Sequence, residues 1–185
     1  GFKATTVTMS YDFARTVPPN DPYMVFLNNF KDQFGEDSNI IAIGMKDSAV
    51  YTVNNFEALR ELTNNIRTIP GVTQVVSLPI LKMISKDTAN SKFYFSNIFP
   101  DKINTQAELD SLLDVMMGQK VYAGQLINEK NGALMMLVSV QQEVMSSIKR
   151  EGMMEILLDA GNVFETKTNI ELRYAGLPFI RTIVA

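Results

Sequence analysis

Apolar residues recur at helical spacing in four segments of the chain. This spacing places them on one face of a helix, which then packs against a core. Two of the segments also begin with the polar pair of a capping box, Asn54 with Glu57 and Thr105 with Glu108. We therefore predict helices between Asp21 and Gly35, from Asn54 to Pro70, from Thr105 to Gly118, and from about Ser147 to Thr166.

Other segments have the pattern of β-strands. Residues Ile40 to Met45 form an unbroken apolar run, which is typical of a central strand covered on both faces. Residues Val72 to Leu78 follow a predicted helix as another strand. Asn131-Gly132 marks a tight turn, so we expect a hairpin with a short strand at 125–127 and a long buried strand at 133–140.

Strands are also predicted at the two ends of the chain. The segment from Ala4 to Met9 is rich in threonine and valine, which favour strands. Near the other end, Ile170, Leu172 and Tyr174 alternate with polar residues. Because side chains alternate between the faces of a strand, this last strand should expose one face to solvent.

The order helix, strand, helix, strand occurs twice, over about residues 22–78 and 105–175. We therefore expect an α/β (α+β) fold of two ferredoxin-like lobes, formed from a duplicated unit, with mixed sheets and helices on one face. Residues 1–185 form one domain in this interpretation. The first lobe covers about 1–80, an irregular connection about 81–103, and the second lobe about 104–185.

Composition excludes several classes of function. The formal net charge is −3 and the sequence pI is about 5.0, with the lysines and arginines scattered, so we expect no binding to nucleic acid. Cysteine and histidine are both absent, which removes disulfides, thiolate nucleophiles, histidine bases and Cys-based zinc sites. The expected protein is not an enzyme and holds no cofactor.

The chain contains 11 methionines, many of them in its second half. Thioethers are ligands for Cu(I), which suggests copper export as one interpretation. Methionine also fills irregular cores, and Met116, Met136 and Met154 lie within patterns that already predict burial. We therefore predict no metal site.

Carboxylates and a serine-lysine pair offer further candidate chemistry. Asp110 with Asp114, and Glu151 with Glu155, stand four residues apart on predicted helices, where they would suit a hard cation or acid-base work. Such pairs usually lie on a solvated helix face, and we assign them no role. Ser91-Lys92 is interpreted in the same way, as part of a solvated loop.

Aromatic residues are the candidate substrate contacts. Periodicity lapses from Pro79 to Pro100, except for a cluster of aromatic residues. Aromatic side chains in an irregular segment between two lobes can line an apolar cleft, although they also form small packing clusters under loops. The predicted contacts are Phe93, Tyr94, Phe95 and Phe99.

No apolar run in the chain approaches the roughly 20 residues that a membrane helix needs. The chain begins at Gly1 and ends on Thr182-Ile183-Val184-Ala185. We expect it to be a fragment excised from a longer protein.

Five segments, taken in order, resemble resistance-nodulation-division (RND) exporters, in particular the branch related to the large mycobacterial membrane proteins (MMPL-like). The segments are Val17-Pro18-Pro19-Asn20-Asp21-Pro22, Phe30-Lys31-Asp32-Gln33-Phe34-Gly35, Ile69-Pro70-Gly71-Val72-Thr73-Gln74-Val75-Val76-Ser77-Leu78, the hairpin from Gly124 to Val140, and Tyr174-Ala175-Gly176-Leu177-Pro178. The third of these is the most specific. The resemblance implies a loop lying between two successive membrane helices.

The resemblance also implies a function. It predicts the periplasmic porter domain of a proton-driven exporter whose full-length protein lies in the inner membrane of a Gram-negative bacterium. The domain would help to pass a hydrophobic or lipid-like substrate outward. Its partners would be that substrate, the membrane helices and a second periplasmic domain of the same transporter. Two alternatives stay open: a stand-alone α/β ligand-binding or sensory module, and a structural or assembly domain of the transporter.

Overall fold

The structure is a computed structural model that describes residues 39–119, 122 and 124–176 of the 185-residue chain. The predicted strand at 4–9 and the predicted helix between Asp21 and Gly35 lie outside these residues. In chain order the described strands and helices are β1 (Asn39–Met45), α1 (Val53–Arg67), β2 (Val72–Val76), β3 (Lys82–Asp87), β4 (Lys92–Asn97), α2 (Gln106–Met117), β5 (Leu134–Val140), α3 (Gln142–Met145), α4 (Lys149–Thr168) and β6 (Arg173–Ala175).

Four strands form one sheet in the order β2-β5-β1-β6, and every pairing in it is antiparallel. Strand β5 lies between β1 and β2, and β1 lies between β5 and β6. The unit β1-α1-β2 is thus interlocked with the unit β5-α4-β6. The prediction of mixed sheets is wrong for the described residues, because every strand pair is antiparallel. The prediction of one sheet in each half is also wrong, because strands from both halves form this single sheet.

Helices α1 and α4 pack against each other on one face of this sheet. Ile43 of β1 is paired with Tyr174 of β6, and residues directly opposite in an antiparallel pair share a face. Tyr174 lies against Gly161 of α4, so this is the face that the helices cover. Neighbouring residues Ile40 and Ile41 are both buried although they point to opposite faces. The predicted central strand, covered on both faces, is confirmed.

Helix α1 forms where the apolar spacing predicts it. Its buried residues are Phe56, Ala58, Leu59, Leu62, Thr63 and Ile66. The predicted capping box is wrong, because the helix begins at Val53, before Asn54, and Glu57 instead pairs with Arg60 at 3.1 Å. A side chain of another helix stabilises the first turn of α1. The Gln106 side chain of α2 accepts a hydrogen bond from the Val53 amide at 3.1 Å.

The capping box predicted for the next helix is confirmed in part. Thr105 lies just before α2, and its hydroxyl accepts a hydrogen bond from the backbone amide of Glu108 at 3.2 Å. The Glu108 carboxylate in turn accepts from the backbone amide of Asn104 at 3.1 Å. The first bond satisfies one of the amides that a helix start leaves without a partner, and the second holds the residue before the N-cap.

The structure corrects the prediction of an irregular connection at about 81–103. Strands β3 and β4 form a separate antiparallel hairpin there, with Lys82 opposite Asn97 and Asp87 opposite Lys92. We call residues 82–97 the aromatic hairpin. Its long side chains project on both sides of a two-stranded ribbon, so it lacks the alternation of buried and exposed positions that reveals most strands.

The hairpin predicted around Asn131-Gly132 is confirmed in part. The turn is present, with Gly132 at φ +70°, a backbone conformation that favours glycine. The long strand forms as β5, whereas the short strand contributes a single bridge between Ile127 and Leu134. Near the other end burial alternates as predicted, since Leu172 is buried and its neighbour Glu171 is exposed, but both residues precede the strand. In β6 itself the neighbours Tyr174 and Ala175 are both buried, so the prediction of one solvent-exposed face is wrong for this strand.

Candidate functional site

Three adjacent aromatic side chains of the aromatic hairpin are exposed. The exposed fraction is 71% for Phe93, 51% for Tyr94 and 68% for Phe95. Because side chains alternate along a strand, Phe93 and Phe95 lie on one face of the ribbon and Tyr94 on the other. The hairpin therefore presents apolar surface on both of its faces.

Lysines surround these aromatic rings. Lys86 is paired with Phe93 across the ribbon, and its Nζ lies 6.0 Å from the centre of the Phe93 ring. This geometry is a cation-π contact, which is worth about 0.5–1 kcal/mol at an exposed site. Lys82 and Lys92 are exposed as well. The hairpin thus combines exposed aromatic rings with positive charge.

A hydrogen-bonded turn closes the hairpin. The Asp87 carboxylate accepts from the Asn90 side chain at 2.8 Å and from the Ala89 amide at 3.0 Å. The Asn90 hydrogen bond, followed by that of Ala89, lowers the pKa of Asp87 below its ordinary value. Ser91 follows in the left-handed region at φ +51°, and both it and Lys92 are exposed, as predicted for a solvated pair.

The base of the aromatic hairpin is fixed to the body of the domain. The Ile98 amide donates to the Leu81 carbonyl at 3.0 Å, which extends the ladder beyond β3 and β4, and both side chains are buried. The hydroxyl of Tyr122 donates to the Lys82 carbonyl at 2.8 Å. The ribbon therefore projects from a packed base.

Phe99 belongs to that base and is separated from the other three predicted contacts. It is only 1% exposed, and its ring centre lies 5.0 Å from that of Phe56 on α1. The Arg60 guanidinium covers the same Phe56 ring at 5.4 Å. The structure thus assigns Phe99 to the core, and leaves Phe93, Tyr94 and Phe95 on the surface.

A second feature lies beside β2, one of the two outer strands of the four-stranded sheet. A solvent-open cleft of about 300 Å³ is lined by Arg67, Val72, Thr73, Gln74, Val75 and Ile80. Its polar groups can donate hydrogen bonds to a small ligand. Spacing along the chain does not predict this cleft, because helix α1, strand β2 and the turn after β2 each contribute residues to it.

The methionines predicted to pack do so. Met116, Met136 and Met154 are all 1% exposed or less, inside the core. The acidic pairs lie at the surface: Asp110 and Asp114 of α2, and Glu151 and Glu155 of α4, are all exposed. Within residues 39–119 and 124–176, no group of three or more carboxylates has a geometry that would hold a metal ion.

Two hydroxyls form a buried pair between α1 and the end of β2. Thr63 donates its hydroxyl hydrogen to the Leu59 carbonyl at 2.7 Å, and the Ser77 hydroxyl lies 2.8 Å from the Thr63 oxygen. A hydroxyl has one hydrogen to donate, so Ser77 is the donor to Thr63. Both side chains are at most 1% exposed. The pair fixes the strand end to the helix.

The contact between α4 and β6 shifts two pKa values. Burial raises the pKa of Glu165, against the opposing effect of a hydrogen bond from the Leu172 amide. That hydrogen bond is 2.6 Å long. Burial, and then the charge of Glu165, raise the pKa of Tyr174. The phenol therefore stays protonated well above neutral pH.

Neither a protein-family model nor a curated protein matches the chain. In the part of the chain that the structure describes, none of the helices has the length and apolar character needed to cross a bilayer.

Proposed function

We propose that the chain is the periplasmic porter domain of a proton-driven RND-type exporter of the MMPL-like branch. In this proposal the domain helps to capture a hydrophobic or lipid-like substrate and pass it outward. The proton-carrying groups belong to membrane helices outside the chain. The domain itself is not an enzyme, and its partners are the substrate, those helices and a second periplasmic domain.

The observation that carries this proposal is the segment from Ile69 to Leu78, the most specific part of the resemblance. It contains the passage from α1 into β2, with Gly71 at φ +97° in the turn. The Ser-Leu pair that closes it is buried, at 1% for Ser77 and 0% for Leu78. A helix-to-strand passage ending in a fixed Ser-Leu pair is what the resemblance predicts at this place.

The sheet topology bears on the expected fold. Two β-α-β units that interlock in one antiparallel sheet, with the order β2-β5-β1-β6, have the connectivity of a ferredoxin-like, or split β-α-β, unit. We therefore propose that the two halves of the chain form one such unit together. The aromatic hairpin and α2 are then an insertion between β2 and β5.

The gene sequence around this chain tests the transporter assignment. An apolar segment of about 20 residues should be encoded shortly before residue 1 and shortly after residue 185. Flanking sequence without such segments would contradict the assignment.

Native mass spectrometry tests the substrate class. The 185-residue chain is mixed with monomeric lipids and, separately, with small polar metabolites. We expect saturable binding of lipids and no saturable binding of the polar metabolites. Saturable binding of one polar metabolite, with no binding of lipids, would contradict the proposal.

The cleft beside β2 supports a second candidate, a stand-alone sensory or ligand-binding module. Arg67, Thr73 and Gln74 give this cleft a cation and several hydrogen-bond donors, which suit a small anionic metabolite. Under this alternative, Arg67→Ala should abolish binding of the metabolite found in the same screen. Under the transporter proposal, the same variant should leave lipid binding unchanged.

A further inference from the structure

We propose that the aromatic hairpin, residues 82–97, docks onto an anionic lipid bilayer surface. This inference does not rest on the transporter proposal, since an exporter loop and a sensory module can each touch a membrane surface. It rests on three features of the hairpin: the exposure of its aromatic side chains, their distribution over two faces, and its charge.

Exposure is the first feature. Phe93 and Phe95 are 71% and 68% exposed, whereas Phe56 and Phe99 in the body of the domain are at most 1% exposed. Exposed apolar surface gathered in one place is characteristic of an interaction site, because water contact with it is unfavourable. Three adjacent aromatic residues on a projecting ribbon are such a site.

The two faces identify the kind of partner. A protein that packs on one face of the ribbon would cover Phe93 and Phe95 but leave Tyr94, on the other face, in water. A ribbon that enters the headgroup region of a bilayer is surrounded, so the side chains of both faces leave water together. Tyrosine is enriched at this depth because its ring is apolar and its hydroxyl is polar.

Charge complementarity identifies the surface as anionic. Residues 82–97 contain three lysines and one aspartate, a net charge of +2, in a chain whose net charge is −3. Lys82, Lys86 and Lys92 are all exposed. Their long side chains can lie along apolar surface while the ammonium groups reach anionic headgroups.

The backbone limits the depth of docking. In the described structure β3 and β4 pair only with each other, so the outer edge of each strand keeps polar groups that need water or headgroups as partners. Docking therefore places the hairpin at the level of the headgroups and leaves the hydrocarbon interior free of backbone.

Tryptophan fluorescence tests the proposal, because the chain contains no tryptophan. Phe93→Trp then reports on the aromatic hairpin alone, and Ile156→Trp, at an exposed position on α4, is the matched control. Each 185-residue variant is titrated with vesicles of equal parts phosphatidylcholine and phosphatidylglycerol, and with pure phosphatidylcholine vesicles. Thermal unfolding of both variants checks that they fold as the parent does.

Anionic vesicles should shift the emission of Phe93→Trp to shorter wavelength and allow quenching by brominated lipid, while Ile156→Trp stays unchanged. Replacing Lys82, Lys86 or Lys92 by glutamine in the Phe93→Trp protein should lower the partition coefficient roughly fivefold per lysine at low salt. Pure phosphatidylcholine should give a much weaker shift.

Four results would overturn the proposal. They are an unchanged emission from Phe93→Trp with anionic vesicles, an equal shift from Ile156→Trp, an equal shift with monomeric short-chain phosphatidylglycerol, and a shift that depends on protein concentration without lipid. The third result would indicate binding of single lipids and would favour the transporter proposal. The fourth would indicate a protein partner.

Discussion

Gly161 of α4 lies directly against the phenol of Tyr174 on β6. A Cβ atom at position 161 would overlap the phenolic oxygen and stand 3.2 Å from Cδ1 of Leu172. Helix and strand approach this closely because residue 161 has no side chain. The contact sets the distance between α4 and the sheet at its β6 edge.

Gly161→Ala should therefore destabilise the fold. Tyr174 or the helix has to move to admit the methyl group, and overpacking of this kind costs about 1–3 kcal/mol. Gly152→Ala is the matched control on the same helix, where a Cβ meets nothing within 4 Å. There alanine should stabilise by about 0.5–1 kcal/mol through its higher helix propensity. Urea unfolding of both variants measures the difference, and equal effects would contradict the close contact.

The hydroxyl pair of Thr63 and Ser77 predicts a coupled effect on stability. Ser77→Ala removes one hydrogen bond and should cost about 1 kcal/mol. Thr63→Val should cost about 1–3 kcal/mol, because it leaves the buried Ser77 hydroxyl without its acceptor. The double variant should be more stable than the sum of the two losses predicts. Denaturant unfolding of all four proteins tests this, and strictly additive losses would show that the two hydroxyls do not interact.

The four aromatic residues predicted as substrate contacts should separate into two classes in stability measurements. Phe99→Ala removes a buried ring and should cost about 3–5 kcal/mol in free energy of unfolding. Phe95→Ala removes an exposed ring and should change that free energy by no more than about 0.5 kcal/mol. Phe93→Ala also removes the contact with Lys86, so its effect should stay within about 1 kcal/mol. A large loss from either exposed position would mean that the aromatic hairpin packs onto the domain.

Glu165 predicts a pH dependence of stability. Its raised pKa means that the folded state holds the proton more tightly than the unfolded chain does. Stability linked to this group is therefore fully present below the ordinary value of 4.5 and is lost as the pH rises through the raised pKa. Glu165→Gln keeps an oxygen that accepts from the Leu172 amide but cannot ionise. The stability of this variant relative to the parent should therefore increase as the pH rises.

Thermal unfolding from about pH 4 to about pH 8 checks this prediction. Glu155→Gln, an exposed carboxylate on the same helix, is the control and should follow the parent across the range. Parallel profiles for the parent and Glu165→Gln would show that Glu165 ionises alike in the folded and unfolded states.

The local pattern of apolar residues correctly predicts the strands and helices that bury one face or both faces. The unbroken run from Ile40 to Met45 became β1, and the apolar spacing around Phe56 and Leu59 became α1. The aromatic hairpin was missed because its residues bury neither face in a regular way. The sequence feature that indicates this hairpin is a turn-forming pair, Asn90 and Ser91, next to aromatic residues that favour strands.

The arrangement of the elements depends on contacts that no local pattern contains. Residues Ile40 and Ser139 are paired in the sheet although the two strands belong to different halves of the sequence. Gln106 completes the first turn of α1 from a separate helix. The cleft beside β2 likewise exists only once α1 and β2 are side by side. Such features follow from tertiary packing, and spacing along the chain does not specify them.

Because β5 lies between β1 and β2, the four-stranded sheet cannot form until the ribosome has synthesised β5. β2 ends at Val76, but the strand that separates and pairs with β1 and β2 begins only at Leu134. Among residues 39–119 neither earlier strand has another partner in this sheet, so both leave the ribosome with open edges there, which favour aggregation until the second half arrives. We expect the nascent first half to engage chaperones, and the sheet to form late, when β5 inserts between β1 and β2.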